Sequence, residues 1–165
     1  MFKIGDKVVY GSNGVCEITS ISTLESSAQK DRLYYILHNL VTGGTAYVPT
    51  DSEVYLCAIM NKTEAQKLIS EIPNVPFEHL SEINPKEAQK CYKDILLSHD
   101  RLKIIGLIKF LKFTELRKKS QKKKLSIIEE RYLSQALIVI GSELGASLEL
   151  SKEKVEEMVQ KALGN

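Results

Sequence analysis

Apolar positions near the start of the chain come in short alternating or paired runs, the spacing of β-strands. Ile4, Val8, Val9, Tyr10, Val15 and Ile18 carry the pattern, interrupted by Gly5-Asp6 and by Gly11-Ser12-Asn13-Gly14. Asn and Gly both tolerate positive φ, which a tight turn between twisted strands requires, so Asn13-Gly14 predicts a hairpin. A second strand pair follows at residues 33–37 and 45–49, with Thr42-Gly43-Gly44 as its turn, and residues 54–59 complete the sheet. Four short strands in the first fifty residues predict a small, strongly bent sheet or barrel. A module of that size has little room for chemistry and ordinarily holds a partner.

The rhythm changes after residue 60. Thr63-Glu64-Ala65-Gln66 has the form of a capping box and predicts a short helix to about Ser70. Ile72-Pro73-Asn74-Val75-Pro76 then forbids helix, because proline lacks an N–H and restrains the residue before it. Asn84-Pro85-Lys86-Glu87 starts another helix, running to about Ser98. Asp100 caps the next, with Leu102, Ile105, Ile108, Phe110 and Leu111 as its apolar face to about Leu116. Ser126-Ile127-Ile128-Glu129 is a second capping box; the helix it opens keeps Leu133, Leu137, Ile140 and Leu144 on one side to about Gly145. Ser151 begins a last helix, with Val155, Met158, Val159 and Leu163 facing inward and Gly164 at its end. The expected fold class is α+β: a β part over residues 1–60, a linker at 60–63, and a compact helical bundle over residues 63–165.

The chain has 165 residues, of which 43% are hydrophobic and 27% charged, the balance of a soluble globular protein. No apolar run reaches the roughly 18 residues of a membrane span. Met1-Phe2-Lys3 leads straight into a strand and not into a signal peptide, so the cytoplasm is the expected location, without membrane contact. Cys16, Cys57 and Cys91 are widely spaced in apolar surroundings and are read as reduced, structural residues. The net charge of +2 conceals a division. Residues 1–60 carry −2 and residues 61–165 carry +4, and within 101–131 eleven Lys and Arg face three Glu. Two differently charged parts suggest two different partners.

Enzyme chemistry fails on inspection. Val41-Thr42-Gly43-Gly44-Thr45 is a hairpin turn without the lysine or helix of a phosphate loop, and no Gly-x-Ser-x-Gly elbow occurs. His38, His79 and His99 lie in separate segments, and Ser98-His99-Asp100 are chain neighbours that point apart and form a helix junction. No catalytic residue, metal, cofactor or small-molecule substrate is expected.

Two features remain. In the eight residues from Arg117 to Lys124, six are cationic: Arg117, Lys118, Lys119, Lys122, Lys123 and Lys124. Cations that neutralise phosphates release condensed counterions, so such a cluster favours salt-dependent, sequence-tolerant DNA binding. The capped helix start that follows adds exposed N–H groups, and Lys109 and Lys112 extend the face upstream. The competing reading is a solvated lysine-rich loop. The second feature is the strand Thr45-Ala46-Tyr47-Val48-Pro49, which as an exposed edge can pair main chain to main chain with a partner strand. The competing reading there is that Tyr47, with Leu24, fills the core of the small barrel.

The order F-x-I-G-D-x-V-V-Y (residues 2–10), G-V-x-x-I (14–18), Y-Y-x-L (34–37) and V-P (48–49) resembles the polymerase-interacting domain of the CarD family of bacterial transcription regulators. A similar domain occurs in the transcription-repair coupling factor. Leu125-Ser126, Glu129-Glu130-Arg131, Leu133, Ala136 and Glu143-Leu144 stand where the helical signature of that family falls. The resemblance implies a Tudor-like β module that docks the RNA polymerase β subunit, with Leu24, Tyr47, Val48 and Pro49 at the contact. It also implies a helical part that touches promoter DNA with low sequence specificity, through Arg117, Lys118, Lys119, Lys122, Lys123 and Lys124. Leu24 and Tyr47 stand where other members often have arginine, which favours an apolar contact over a salt bridge. Members that stabilise the open promoter present a Trp four residues before a Tyr-Lys pair. Here the pair is Tyr92-Lys93, the Trp position is Ala88, and the chain has no Trp. Lys90 and Lys93 remain as phosphate contacts nearby. The implied role is modulation of open-complex formation; the alternative is a protein–protein adaptor without DNA contact, docking through Phe110 and Phe113.

Overall fold

A computed structural model describes residues 1–52, 56–77 and 83–164. Five strands come first: β1 (Lys7–Tyr10), β2 (Val15–Thr23), β3 (Leu33–Asn39), β4 (Thr45–Pro49) and β5 (Leu56–Ala58). Among the described residues five α-helices follow, α1 (Lys62–Glu71), α2 (Pro85–Leu97), α3 (Arg101–Ser120), α4 (Ile127–Leu148) and α5 (Lys152–Leu163), with a short 3-10 turn at Ile72–Asn74. The class is α+β. The expected beginning of the fifth strand at Val54 lies outside the described residues.

The strands form one antiparallel sheet in the order β4-β3-β2-β1-β5. The register slips between Ile18 and Ser20, and Thr19 Oγ1 donates to the Ile36 carbonyl at 3.1 Å. Such a bulge bends its strand and steepens the local twist. The inner face thereby curls around Val8, Cys16, Ile18, Tyr35, Leu37 and Val48 as a core of its own. Phe2 folds across it, edge to face with Tyr35 at 6.1 Å between ring centroids. The small bent module expected from the strand pattern is present, Tudor-like in form. All three cysteines are free thiols, and burial pushes Cys16 up to about 11.

Val9 and Val15 pair across the opposite face of the first hairpin and join the helical core instead. The hairpin turn settles onto α4 at Gly14, whose φ of +81° suits glycine. A Cβ there would also lie 2.7 Å from Ser142 Oγ and 3.1 Å from Ile138 Cγ2. Sheet and helices therefore share packed side chains.

At α1 the cap differs from expectation. Asn61, not Thr63, accepts from the Glu64 N–H, and Glu64 reaches back to the Asn61 N–H at 2.8 Å. Asn caps at least as well as Thr, and the earlier start makes Glu64 the third helical residue, where a capping-box acid belongs. Asn84, Asp100, Ser126 and Ser151 cap their helices as the pattern predicts. Helix α3 departs further. It continues to Ser120, and its buried residues, Ile104, Ile105, Leu107, Ile108, Phe110 and Leu111 among them, wrap more than half of the helix, leaving Leu102, Phe113 and Leu116 on an exposed strip. It is the central helix of the bundle, whereas Leu102, expected on its apolar face, is 44% exposed. No single helix among the described residues is long and apolar enough to cross a membrane.

Candidate functional site

Two surfaces carry the residues singled out from the sequence, and they lie on different elements. The first is the outer edge of β4. Hydrogen bonds from Asn39 N to Gly44 O (2.8 Å) and from Thr50 N to Leu33 O (3.0 Å) set the phase of the β3–β4 ladder. In an antiparallel pair every second residue spends its N–H and C=O on the neighbour. Ala46 and Val48 therefore face β3, while Thr45 and Tyr47 direct both main-chain groups outward. Pro49 offers only its carbonyl there, and a proline without a donor is a usual way to end an edge.

Tyr47 is 54% exposed, opposite half-buried Ile36, so it does not fill the barrel core. Val48 does: it is 2% exposed, and both its side chain and its main chain are turned inward. Leu24 is half-buried just beyond β2, and Leu33, at the start of β3, is 48% exposed. An ion pair between Arg32 and Asp51 at 2.8 Å ties the start of β3 to the segment after β4.

The second surface is the tip of the α3–α4 hairpin. Arg117, Lys118 and Lys119 form the last turn of α3, so half of the basic run is helix and not loop. Lys122 takes a left-handed φ of +58°, and Lys123 N bonds back to Lys118 O at 2.8 Å, closing the helix end. Buried Leu125 anchors the return, and Ser126 caps α4 in a capping box with Glu129. Lys118 is set apart from its neighbours: its Nζ lies 2.6 Å from Glu129 Oε2. Burial alone would raise the Glu129 carboxyl, but hydrogen bonds from Lys118 and Ser126 outweigh it and hold the group below its usual range. Among the described residues no carboxylate pairs with Arg117, Lys119, Lys122, Lys123 or Lys124, all of them exposed.

The upstream lysines do not extend this face. Lys109 Nζ donates to the Pro73 and Val75 carbonyls at 3.0 and 2.8 Å, stapling the proline segment to α3, and burial lowers its pKa. Lys112 pairs with Glu115 at 3.4 Å. Lys90 and Lys93 are exposed on α2, away from the hairpin tip in sequence, and Lys90 shares a shallow depression with Glu87 and Asp94. Ala88 packs into the core at 9% exposure, and Tyr92 lies beneath it against Phe110 and Tyr132. Burial first, then the charge of Glu129, pushes Tyr92 up to about 12. That part of α2 is a buried aromatic contact and presents no wedge.

What joins the two surfaces was not apparent from the pattern. Glu143, 1% exposed on α4, receives the Arg101 guanidinium at 2.6 Å and the Met60 N–H at 2.9 Å. Arg101 Nη2 also donates to the Ala58 carbonyl at 3.2 Å. The hydrogen bond with Glu143 raises Arg101 against the opposing effect of burial. One buried ion pair thus fastens the end of β5, the start of α1, α3 and α4 together. A second tie is the Val15 N–H donating to Ser142 Oγ at 3.1 Å. In the sequence Arg101 counted as one cation of many, and Glu143 only as a match to a helical signature. No periodicity marks a buried pair 42 residues apart.

A family model for the CarD-like/TRCF RID domain matches residues 2–54. No curated protein matches the chain significantly. The matched span contains β1 to β4 and the whole exposed edge. RID denotes an RNA polymerase-interacting domain. The front of this chain, residues 2–54, is therefore a CarD-like/TRCF RID domain, with an RNA polymerase-binding role.

Proposed function

We propose that the chain is a transcription regulator that grips the RNA polymerase β subunit by strand addition at β4 and lays its basic α3–α4 tip on promoter DNA. The observation that carries this reading is the outward-facing N–H and C=O of Thr45 and Tyr47 on an RID edge strand. Strand addition draws affinity from main-chain hydrogen bonds and selectivity from alternate side chains. Tyr47 is the alternate side chain, with Leu24 and Pro49 flanking the contact and Val48 supporting it from the core. The division of labour assigns residues 1–60 to polymerase and residues 63–165 to DNA.

At the tip Arg117, Lys119, Lys122, Lys123 and Lys124 meet phosphates, with Lys118 held partly in reserve by Glu129; Lys90 and Lys93 add contacts from α2. Phosphate contacts position a protein without reading bases, so specificity is low. Tethering to polymerase raises the local concentration of these weak contacts, and neither interaction has to be tight alone. Open-complex formation is then modulated by placement on the DNA backbone, since Ala88 offers nothing to insert between base steps.

The test uses the full chain and a fragment of polymerase β subunit in a binding assay. Tyr47→Pro removes an outward donor without touching the β3 ladder, and is expected to weaken binding by about tenfold, or 1.4 kcal/mol, with thermal stability nearly kept. Unchanged binding sinks the strand-addition reading. For DNA, replacing Arg117, Lys119, Lys122, Lys123 and Lys124 with Gln should flatten the slope of log affinity against log salt by about 3 to 5. An unchanged slope would return the run to the solvent.

A further inference from the structure

A long groove runs beside α4 on a face that neither proposed contact uses. It measures about 1000 Å³. Its floor and walls include Leu133, Leu137, Ile138, Gly141, Val155 and Val159, from α4 and α5. The β3–β4 turn forms the opposite rim with Leu40 and Val41, which are 44% and 42% exposed. Apolar side chains gathered in a cleft with a few polar groups around it are the usual setting for a bound partner or ligand.

Two observations say what fits it. The first is charge. Glu115, Glu130, Glu153, Glu156 and Glu157 line the groove against Lys7 and Lys152. Lys112 holds Glu115 and Lys152 holds Glu156, which leaves Glu130, Glu153 and Glu157 without a cation among the described residues. Such a rim repels phosphate and attracts cations. The second is Gly141. A glycine inside an α-helix costs about 1 kcal/mol relative to alanine, and nothing here demands one: a Cβ at Gly141 meets no atom within 4 Å. The absent side chain keeps the groove floor open. From Glu130 to Gly145 the floor spans fifteen residues of α4, about 22 Å at 1.5 Å per residue, or four turns of a guest helix.

We propose that this groove docks an amphipathic helix of a partner protein, one with lysine or arginine flanking its apolar stripe. Helix-in-groove recognition seats apolar anchors three and four residues apart in such a cleft. Here they would lie along Leu133, Leu137 and Gly141, with the flanking cations on Glu130, Glu153 and Glu157. The site is independent of the polymerase edge and of the basic tip, and gives the chain a third attachment.

The test is fluorescence anisotropy of a labelled sixteen-residue helical peptide of leucine and lysine, titrated with the full chain. Saturable one-to-one binding is expected, with a Kd below about 100 µM. A peptide with glutamate in place of lysine should bind at least about tenfold more weakly, and the lysine peptide should weaken with salt. Glu130→Gln, Glu153→Gln and Glu157→Gln together, all at exposed positions, should weaken the lysine peptide by about tenfold. Gly141→Leu should fill the floor and abolish binding while the melting temperature holds or rises. Binding indifferent to both variants places the peptide elsewhere and overturns the proposal. Equal affinity for the glutamate peptide reduces the groove to bare apolar adhesion and overturns it too. A dimer in sedimentation that Gly141→Leu dissociates would make a second copy the occupant, with the same consequence.

Discussion

Glu143 shows how much one buried charge can decide. Desolvating a carboxylate is expensive, and only close partners offset it. Arg101 and the Met60 N–H supply those partners, so each member of the set is held by the others. Removing one side leaves the other buried and unpaired, so Arg101→Met should cost about 3–5 kcal/mol in urea unfolding. Arg101→Met with Glu143→Leu should recover most of the loss. Lys118 and Lys119 make a second contrast, adjacent in sequence but different in role. Lys118→Gln should lower stability and change the DNA salt slope little, and Lys119→Gln should do the reverse. The Glu129 carboxyl sits below its ordinary value of 4.5 in the folded chain. Its contribution is therefore complete above that value and fades as pH falls through the lower folded one. Urea titrations of Glu129→Gln should show a deficit of about 1 kcal/mol at neutral pH, vanishing in acid.

At the scale of elements, β4 and α4 are each shaped by what they leave unfilled. Among the described residues strand β4 has one ladder partner, β3, and its other side ends at Pro49, which limits uncontrolled pairing to a short stretch. Helix α4 carries Gly141 at a position where alanine fits without contact. Gly141→Ala should raise stability by about 1 kcal/mol and the melting temperature by a few degrees, a gain readable by calorimetry. The apolar face expected on α3 is there in Ile105, Ile108, Phe110 and Leu111, but it is wider than expected, and Leu102 lies outside it. Helices α2 and α4 and the stapled proline segment cover it, and its environment was not visible in its own spacing. The basic run was legible as charge. That its first half is helical, and that Glu129 takes one of its lysines, depended on how far α3 continues before turning.

For the molecule as a whole the distance between the two proposed contacts matters most. The sheet seats on α4 at Ser142, and the basic tip lies before Ile127. The intervening helix spans about 22 Å at 1.5 Å per residue. The Glu143–Arg101 pair and the Gly14 seat make this a fixed offset and not a loose tether. Gly14→Ala must accommodate φ of +81° and a 2.7 Å approach to Ser142 Oγ. It should loosen the joint, cost more than about 1 kcal/mol, and lower DNA affinity of the polymerase-bound chain more than that of the free chain. A gel shift with and without polymerase separates the two.

The amino-acid sequence by itself determined the strand-then-helix order, four of the five helix caps, the hairpin turns, the polymerase-interacting front and the existence of a basic cluster. Each of these is local: a turn residue, a cap or a period speaks for itself within a few positions. Only the tertiary structure decided that Val48 is inward and Tyr47 outward, that Lys109 and Lys118 are spoken for, and that Glu143 and Arg101 bind the two halves. Those outcomes depend on which distant groups arrive beside each other, and long-range burial and pairing leave no periodic trace along the chain.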